Sequence, residues 1–391
     1  MFANLYITQP LLPLLSAEFA VSPLQASWSL SLGLFTLGLS LLFYGTLSDA
    51  VGRRLIMGVT MVLAVLVTFS LSYVQDFQTL LALRAVQGFL LGGLPAIAIA
   101  YMGEEFSRKA MVFAVGLYIS GNSLGGIAGR LIGGFVADWT DWRSAFLVMG
   151  IISLVCLLGY LWLLPPSRQF RAKPVRMVEI HRSLFGHLRN PRLLPAYLIG
   201  GLNFAIFISQ YNYIIFVLSD APYSLPSSLL GMLFLTYLSG TLGSAISGKA
   251  AHRIPQALCI LIGSVVMMLG TLVTLIGGLS AIVAGLLLNA LGFFFAHASA
   301  SSWVSRHAHF AKASASSLYL MFYYLGASAG TFYMNPFWRA GGWLGVVLGS
   351  LLVLCATVTL AWILHRGDRA ELTSTEYIPK TDSDSYCNQP N

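Results

Sequence analysis

The chain has 391 residues, of which 57% are hydrophobic and only 9% charged, and it carries a net charge of +8. Soluble domains hold about one-quarter charged residues, so this chain has too few charges to coat a water-facing surface. A soluble enzyme or nucleic-acid-binding domain is excluded, and lipid is the solvent.

A helix crosses the hydrocarbon core with about 20 apolar residues. Windows of that kind fall at 1–18, 25–46, 55–74, 77–101, 111–137, 144–164, 193–218, 227–247, 256–278, 280–303, 314–334 and 343–364. The first holds Pro10 and Pro13 and meets its first charge only at Glu18. It is short for a full span and no basic residue precedes it, so the chain is expected to begin inside its first helix. Between the second and third windows lies Gly45-Thr46-Leu47-Ser48-Asp49-Ala50-Val51-Gly52-Arg53-Arg54. One acid, two arginines and two glycines between apolar runs read as a tight loop at a membrane face.

The fourth window contains Arg84, with Gln87 and Gly88 one turn on, and the fifth contains Arg130. Both arginines lie off the centre of their spans on the same side, Arg84 by roughly 7 Å at 1.5 Å per residue. Charges at that depth are costly and usually face a bundle interior or water. Either they make the outer half of a cavity positive, or they snorkel outward to Glu18, Asp76 or Asp138. In the fifth window Gly121, Gly125, Gly129 and Gly133 recur at every fourth residue, a smooth face for close helix packing. One position on, Tyr118, Asn122, Gly126 and Arg130 form a polar line that reads as a cavity wall or as packing polarity.

Residues 165–192 open with Pro165-Pro166 and carry seven basic residues against the single acid Glu179. They are expected to form a cytoplasmic linker held near anionic lipid headgroups. The seventh window carries Asn203, Gln210 and Asn212, and the tenth carries Asn289 and His297. His297 is the only histidine well inside a window; it either takes a proton near neutral pH or stays neutral, bonded to a neighbouring helix. The eleventh window sets Tyr319, Tyr323, Ala327 and Thr331 beside Gly326 and Gly330, repeating the fifth. No Asp or Glu falls in the middle of any window. The tail, 365–391, is polar and is expected to be cytoplasmic and disordered. Cys156, Cys259 and Cys355 lie in apolar runs and Cys387 in the tail, without disulfide or metal-ligand spacing, so no metal and no cofactor is expected.

Counting Lys and Arg on alternate sides gives 18 on the side of the Asp49 loop, linker and tail, against Arg143 and Arg339 on the other. The positive-inside bias puts the Asp49 loop, linker and C-terminus in the cytoplasm. The linker divides the windows into two sets of six, residues 1–164 and 193–364, and the sets repeat one another. Leu117-Tyr118 aligns with Leu318-Tyr319, Gly125 with Gly326, and Gly129 with Gly330 at one offset. The loop Gly248–Pro255 stands where the Asp49 loop stands, with His252 in place of Asp49. Two six-helix halves related by a parallel repeat are a common plan of secondary transporters, with the solute site between them near mid-membrane.

Gly45-x-Leu47-Ser48-Asp49-x-x-Gly52-Arg53-Arg54 resembles the loop signature of the major facilitator superfamily. Leu80-x-x-x-Arg84-x-x-Gln87-Gly88 is similar to the fourth-helix motif of its drug:proton antiporter group. Pro10-x-x-Pro13 resembles that branch's first-helix motif. Gly116, Gly125, Gly129, Gly133 and Gly134 fall at the glycines of its fifth-helix antiporter motif, although Arg130 stands where the general motif has proline. The resemblance covers residues 1–364 and implies efflux of a small solute driven by proton entry.

An all-α membrane protein with the major facilitator fold is therefore expected, in the bacterial inner membrane and acting as a monomer. Gly45, Asp49, Gly52, Arg53 and Arg54 read as a cytoplasmic gating latch or a simple anchoring turn. Arg84, Gln87, Arg130 and His297 are the candidates for buried charge and proton coupling. The candidates for the solute cavity are Tyr118, Asn122, Asn203, Gln210, Asn289, Tyr319 and Tyr323, whose hydroxyls and amides can hydrogen-bond a polar or aromatic solute. A uniporter or importer of a small organic anion is the alternative, since two buried arginines suit an anion. A non-transporting sensor or scaffold would more often carry a folded soluble domain or an unusually long loop, and an enzyme would need a nucleophile–base or metal-ligand cluster. Neither kind of feature is present.

Overall fold

The computed structural model describes residues 1–165, 167, 170 and 177–376. Among them every regular element is helical. The first helix, α1, is broken into Phe2–Tyr6, a 3-10 turn Gln9–Leu11 and Leu12–Glu18. Pro10 and Pro13 lack the N–H that would continue the ladder, which accounts for the break. It is followed by α2 (Pro23–Val51), α3 (Arg53–Leu71), α4 (Phe77–Glu105, with a break at Gly92), α5 (Arg108–Trp139) and α6 (Trp142–Leu163). Side-chain caps start four of these helices, with Ser22, Asp76, Ser107 and Asp141 each accepting a bond from a backbone N–H of the first turn.

A short helix, α7 (Met177–Leu188), leads into α8 (Leu193–Ser219), α9 (Ser227–Ala250), α10 (Gln256–Val273) and α11 (Leu279–His307). Lys312–Glu376 holds two helices, α12 (312–340) and α13 (343–376), separated by the non-helical pair Gly341 and Gly342. Gly342, at φ 52, takes a conformation that side chains beyond hydrogen disfavour. Among the described residues, ten stretches are long and apolar enough to cross a membrane. The last of them is the α12–α13 pair, and the broken α1 completes the twelve windows.

In the linker 165–192, α7 docks by its C-terminal end, where His187 is buried and its ring stacks on Phe310 at 4.3 Å. Residues 166, 168, 169 and 171–176 of the linker lie outside the described residues. The tail, expected to be disordered from 365, instead starts as a continuation of α13 to Glu376. Asp368 explains why, since it accepts a bond from Trp303 Nε1 at 3.1 Å and lies 3.7 Å from His307. Residues 377–391 lie outside the described residues.

Helices α1–α6 and α8–α13 form two bundles built on the same contacts. In the first, Gly129 and Gly133 of α5 press against the backbone of Ala3 and Ile7 in α1. In the second, Gly326 and Gly330 of α12 press against Gly201 and Ala205 in α8. Glycines spaced by four make the same close approach in each half, which is the parallel repeat expressed in packing.

The bundles meet along two helix pairs. Helix α2 runs against α12, where Gly38 packs on Tyr324 and the Trp28 and Phe332 rings stack at 5.9 Å. Helix α5 meets α9, where Gly134 abuts Ser227 and Gly231 abuts the Arg130 carbonyl. Asp138, near the end of α5, accepts bonds from the backbone N–H groups of Ser227 and Ser228 at 2.9 and 2.7 Å. It thereby caps a helix of the other half, where the helix dipole favours a carboxylate. On that side the halves are closed.

Candidate functional site

The Asp49 loop is a sharp corner between α2 and α3, turned by Gly52 at φ 123. Arg53, the first residue of α3, holds the corner together. Its guanidinium makes a bidentate pair with Glu104 of α4 (2.9 and 2.7 Å), meets Asp49 at 2.7 Å and donates to Ser48 Oγ at 3.0 Å. Arg54 donates to the Leu161 carbonyl at 3.3 Å, while the Tyr160 hydroxyl donates to the Arg54 carbonyl at 2.8 Å. These contacts all lie within the first bundle, and Gly45 has no neighbour at the position of a Cβ. Glu104 was not anticipated, although the pair Glu104-Glu105 at the end of a window on the basic face was its visible signal.

Arg84 and Gln87 are buried together inside the first bundle. Arg84 is fully buried and points at the break in α1. It donates to the carbonyls of Asn4 (2.9 Å), Leu5 and Ser29 (2.8 Å), and to Gln87 Oε1. Gln87 donates to Thr68 Oγ1 at 2.7 Å, Thr68 to Asn4 Oδ1 at 3.1 Å, and Asn4 to Ser153 Oγ at 2.7 Å. The proline-induced break puts backbone oxygens where a guanidinium can collect several at once. Neither Arg84 nor Arg130 snorkels to an acid. Glu18 pairs with Arg143 at 2.7 Å, Asp76 caps α4, and Asp138 caps α9.

Arg130 sits where the halves touch. Its Nε donates to Gln9 Oε1 at 2.9 Å and its Nη1 to the Gly126 carbonyl at 2.8 Å. Its guanidinium carbon lies 4.0 Å from the Tyr6 ring centre, 4.5 Å from Phe234 and 4.7 Å from Tyr237. Tyr6 and Gln9 belong to α1, whereas Phe234 and Tyr237 belong to α9, so both halves build the cage. Gln9 Nε2 donates to Asn212 Oδ1 at 2.8 Å, and Asn212 reaches Thr331 Oγ1 at 3.3 Å, extending the polar line into the second half.

Three of the cavity candidates are bonded within the second bundle. Asn203 donates to Ser264 at 3.2 Å, Gln210 to Thr271 at 2.9 Å, and Asn289 to both Gln210 and Thr271 at 3.0 Å. These amides tie α8, α10 and α11 together, because Ser264 and Thr271 lie opposite them. His297 receives or donates a bond with the Tyr319 hydroxyl at 3.0 Å, and its ring lies 4.4 Å from that of Tyr323. Tyr319 is buried, Tyr323 is 8% exposed, and Tyr118 and Asn122 are half-buried on α5. Gly129, Gly133, Gly326 and Gly330 make backbone contacts, and a Cβ on Gly125 would lie 3.9 Å from the Ala3 nitrogen.

Gln9, Phe234 and Tyr237 were missed as partners of the site. The signals were present, with Gln9 beside the Pro10 break and Phe234 and Tyr237 one turn apart on the eighth window.

A family description, Major Facilitator Superfamily, matches residues 1–331. The chain is 40% identical to the inner membrane transport protein YnfM of Escherichia coli over 93% of this chain and 88% of that protein. It is 38% identical to the uncharacterized MFS-type transporter YybF of Bacillus subtilis over 93% of this chain and 90% of that one. Among solved structures, it is similar in fold to the nucleoside transporter NupG, with a TM-score of 0.73 at 14% identity, covering 93% of this chain and 97% of that one.

Proposed function

Because the chain belongs to the major facilitator superfamily, whose members here are membrane transporters and not enzymes, we propose that it carries a small solute by alternating access, in proton-coupled efflux. The two halves, 1–164 and 193–364, rock about the linker 165–192. The protein acts as a monomer in the bacterial cytoplasmic membrane with its C-terminus inside. The observation that carries this reading is two bundles built on the same glycine contacts and joined by side chains of both, with Asp138 of α5 capping α9 and Arg130 caged by rings of α1 and α9. Such a seam can open and close as the bundles rock. The fourth- and fifth-helix motifs support outward movement against protons.

Reconstituted vesicles preloaded with a solute panel test it. Loss of at least one solute is expected, and acidifying the bath is expected to speed that loss. Flux that ignores the gradient would remove proton coupling, and flux of nothing would remove the carrier. A second reading, carriage without protons, is favoured by one observation. Among the described residues no Asp or Glu lies in the middle of a spanning helix. An anion leaving a negative interior gains about 2.3 kcal/mol per 100 mV without any proton.

The Asp49 corner is proposed as the gate of the basic face. Arg53 keeps Glu104 when Asp49 is neutralised, so Asp49→Asn is expected to leave folded yield unchanged and slow flux about fivefold or more, the value of roughly 1 kcal/mol of lost charge interaction. Wild-type flux from a normally folded Asp49→Asn protein would reduce the loop to an anchoring turn.

A further inference from the structure

The buried arginines of the chain are satisfied in different ways. Arg53 has two acids, and Arg84 has backbone and amide oxygens on several sides. Arg130 has neither in full. A guanidinium presents five N–H donors, of which Arg130 places one on Gln9 and one on Gly126. A third reaches the Tyr237 hydroxyl at 3.5 Å, the limit of a hydrogen bond. Among the described residues no carboxylate lies within ion-pair distance of it. Ring faces surround the rest of the group and attract the cation without accepting its remaining in-plane N–H groups. A buried charge left in this condition is costly unless an anion completes it.

The surroundings say what kind of anion. Tyr6 and Tyr237, which flank the guanidinium, are each slightly exposed at 8% and 9%, as is Tyr323 at 8%. These rings are backed by a buried aromatic cluster, with Phe207 on Phe293 at 4.0 Å and Phe204 on Tyr323 at 3.7 Å. A flat ring set against Tyr6, Tyr237 and Tyr323 would bring its charged end to Arg130. We propose that Arg130 is the binding cation for a small aromatic carboxylate. The carboxylate takes the free N–H groups in the forked geometry that arginine favours and displaces the long contact to Tyr237. Since Arg130 rides on α5 and Tyr237 on α9, the bound anion bridges the two halves in place of a protein contact. An amine-bearing solute is turned away by the same charge. This inference rests on the carrier reading above and adds the chemistry of its cargo.

The test is equilibrium binding to the purified full chain, with phenylacetate, phenylacetamide, cyclohexylacetate and acetate as probes. Phenylacetate is expected to bind saturably, and phenylacetamide, which has the same shape without the charge, about tenfold more weakly or worse. Cyclohexylacetate and acetate, lacking the flat ring, are expected to bind more weakly than phenylacetate. Arg130→Gln is expected to erase the preference of acid over amide, and Arg130→Lys to keep the preference at lower affinity. No saturable phenylacetate binding, equal affinity for acid and amide, or a preference that survives in Arg130→Gln would each overturn the proposal. If Arg130→Gln does not fold, the wild-type acid-to-amide ratio and Arg130→Lys still decide it. Binding without vesicle flux would sink the carrier and spare the site. Flux with no acid preference would sink the site and spare the carrier.

Discussion

Arg84→Met is expected to yield little folded protein, with the thermal midpoint of the surviving fraction well below that of the parent. The side chain is fully buried and acts as a strap from α4 across the broken α1 to α2. Methionine fills much of the volume, so the loss is chiefly one of hydrogen bonding. The carbonyls of Asn4 and Leu5 and the amide oxygen of Gln87 lose their donor in an environment without water. Each buried acceptor left alone costs about 1–3 kcal/mol, so the three together cost roughly 3–9 kcal/mol, comparable to a whole domain's stability of about 5–15 kcal/mol. Arg84→Lys is expected to fall between, because an ammonium reaches one or two of those oxygens but not all of them. Gel filtration of a fluorescent fusion, with heating before injection, reads both outcomes. A residue that served transport alone would lose flux at an unchanged midpoint, and an unchanged midpoint in Arg84→Met would overturn the strap.

That result bears on how far the chain can be read from its residues. The depth of Arg84 was legible, because position along an apolar window converts to distance from the midplane. Its role was not, because the oxygens it serves exist only where α1 breaks and swings past α4. Asn203, Gln210 and Asn289 carry the same lesson. An amide inside a span can face a cavity or a neighbouring helix, and periodicity is blind to whether Ser264 or Thr271 stands opposite. Arg53 was marked by its loop, yet its stronger partner, Glu104, is 51 residues away at the far end of another helix. Window positions, sidedness of charge and the two-half repeat were all legible, since each depends on composition along the chain and not on contact across it. The tail shows the converse error. Polarity alone suggested disorder, while one carboxylate, Asp368, reaching Trp303 accompanies a helix that runs on.

Gly326→Leu is expected to be as damaging as the loss of Arg84, whereas Gly159→Leu is expected to leave folded yield within error of the parent. Both glycines lie inside apolar windows and look alike in sequence. At Gly326 a Cβ would overlap the carbonyl and Cα of Gly201, which are backbone atoms of α8 with no rotamer to move. To make room, α8 and α12 must separate along the contact that also includes Gly330 on Ala205. Overpacking typically costs about 1–3 kcal/mol where side chains can yield, and a backbone-to-backbone clash exceeds that range because nothing short of helix displacement relieves it. The displacement would also strip Tyr319 and Tyr323 of their register with His297, one turn along the same helix. At Gly159 a Cβ meets nothing within 4 Å, and leucine there improves helix propensity by about 1 kcal/mol. Comparing folded yields of the two variants, with Gly129→Leu as a third, separates contact from residue type. Equal loss at Gly159 and Gly326 would mean that α6 acquires a close neighbour there in another conformation, and equal tolerance would mean that α8 and α12 are not locked by glycine at all.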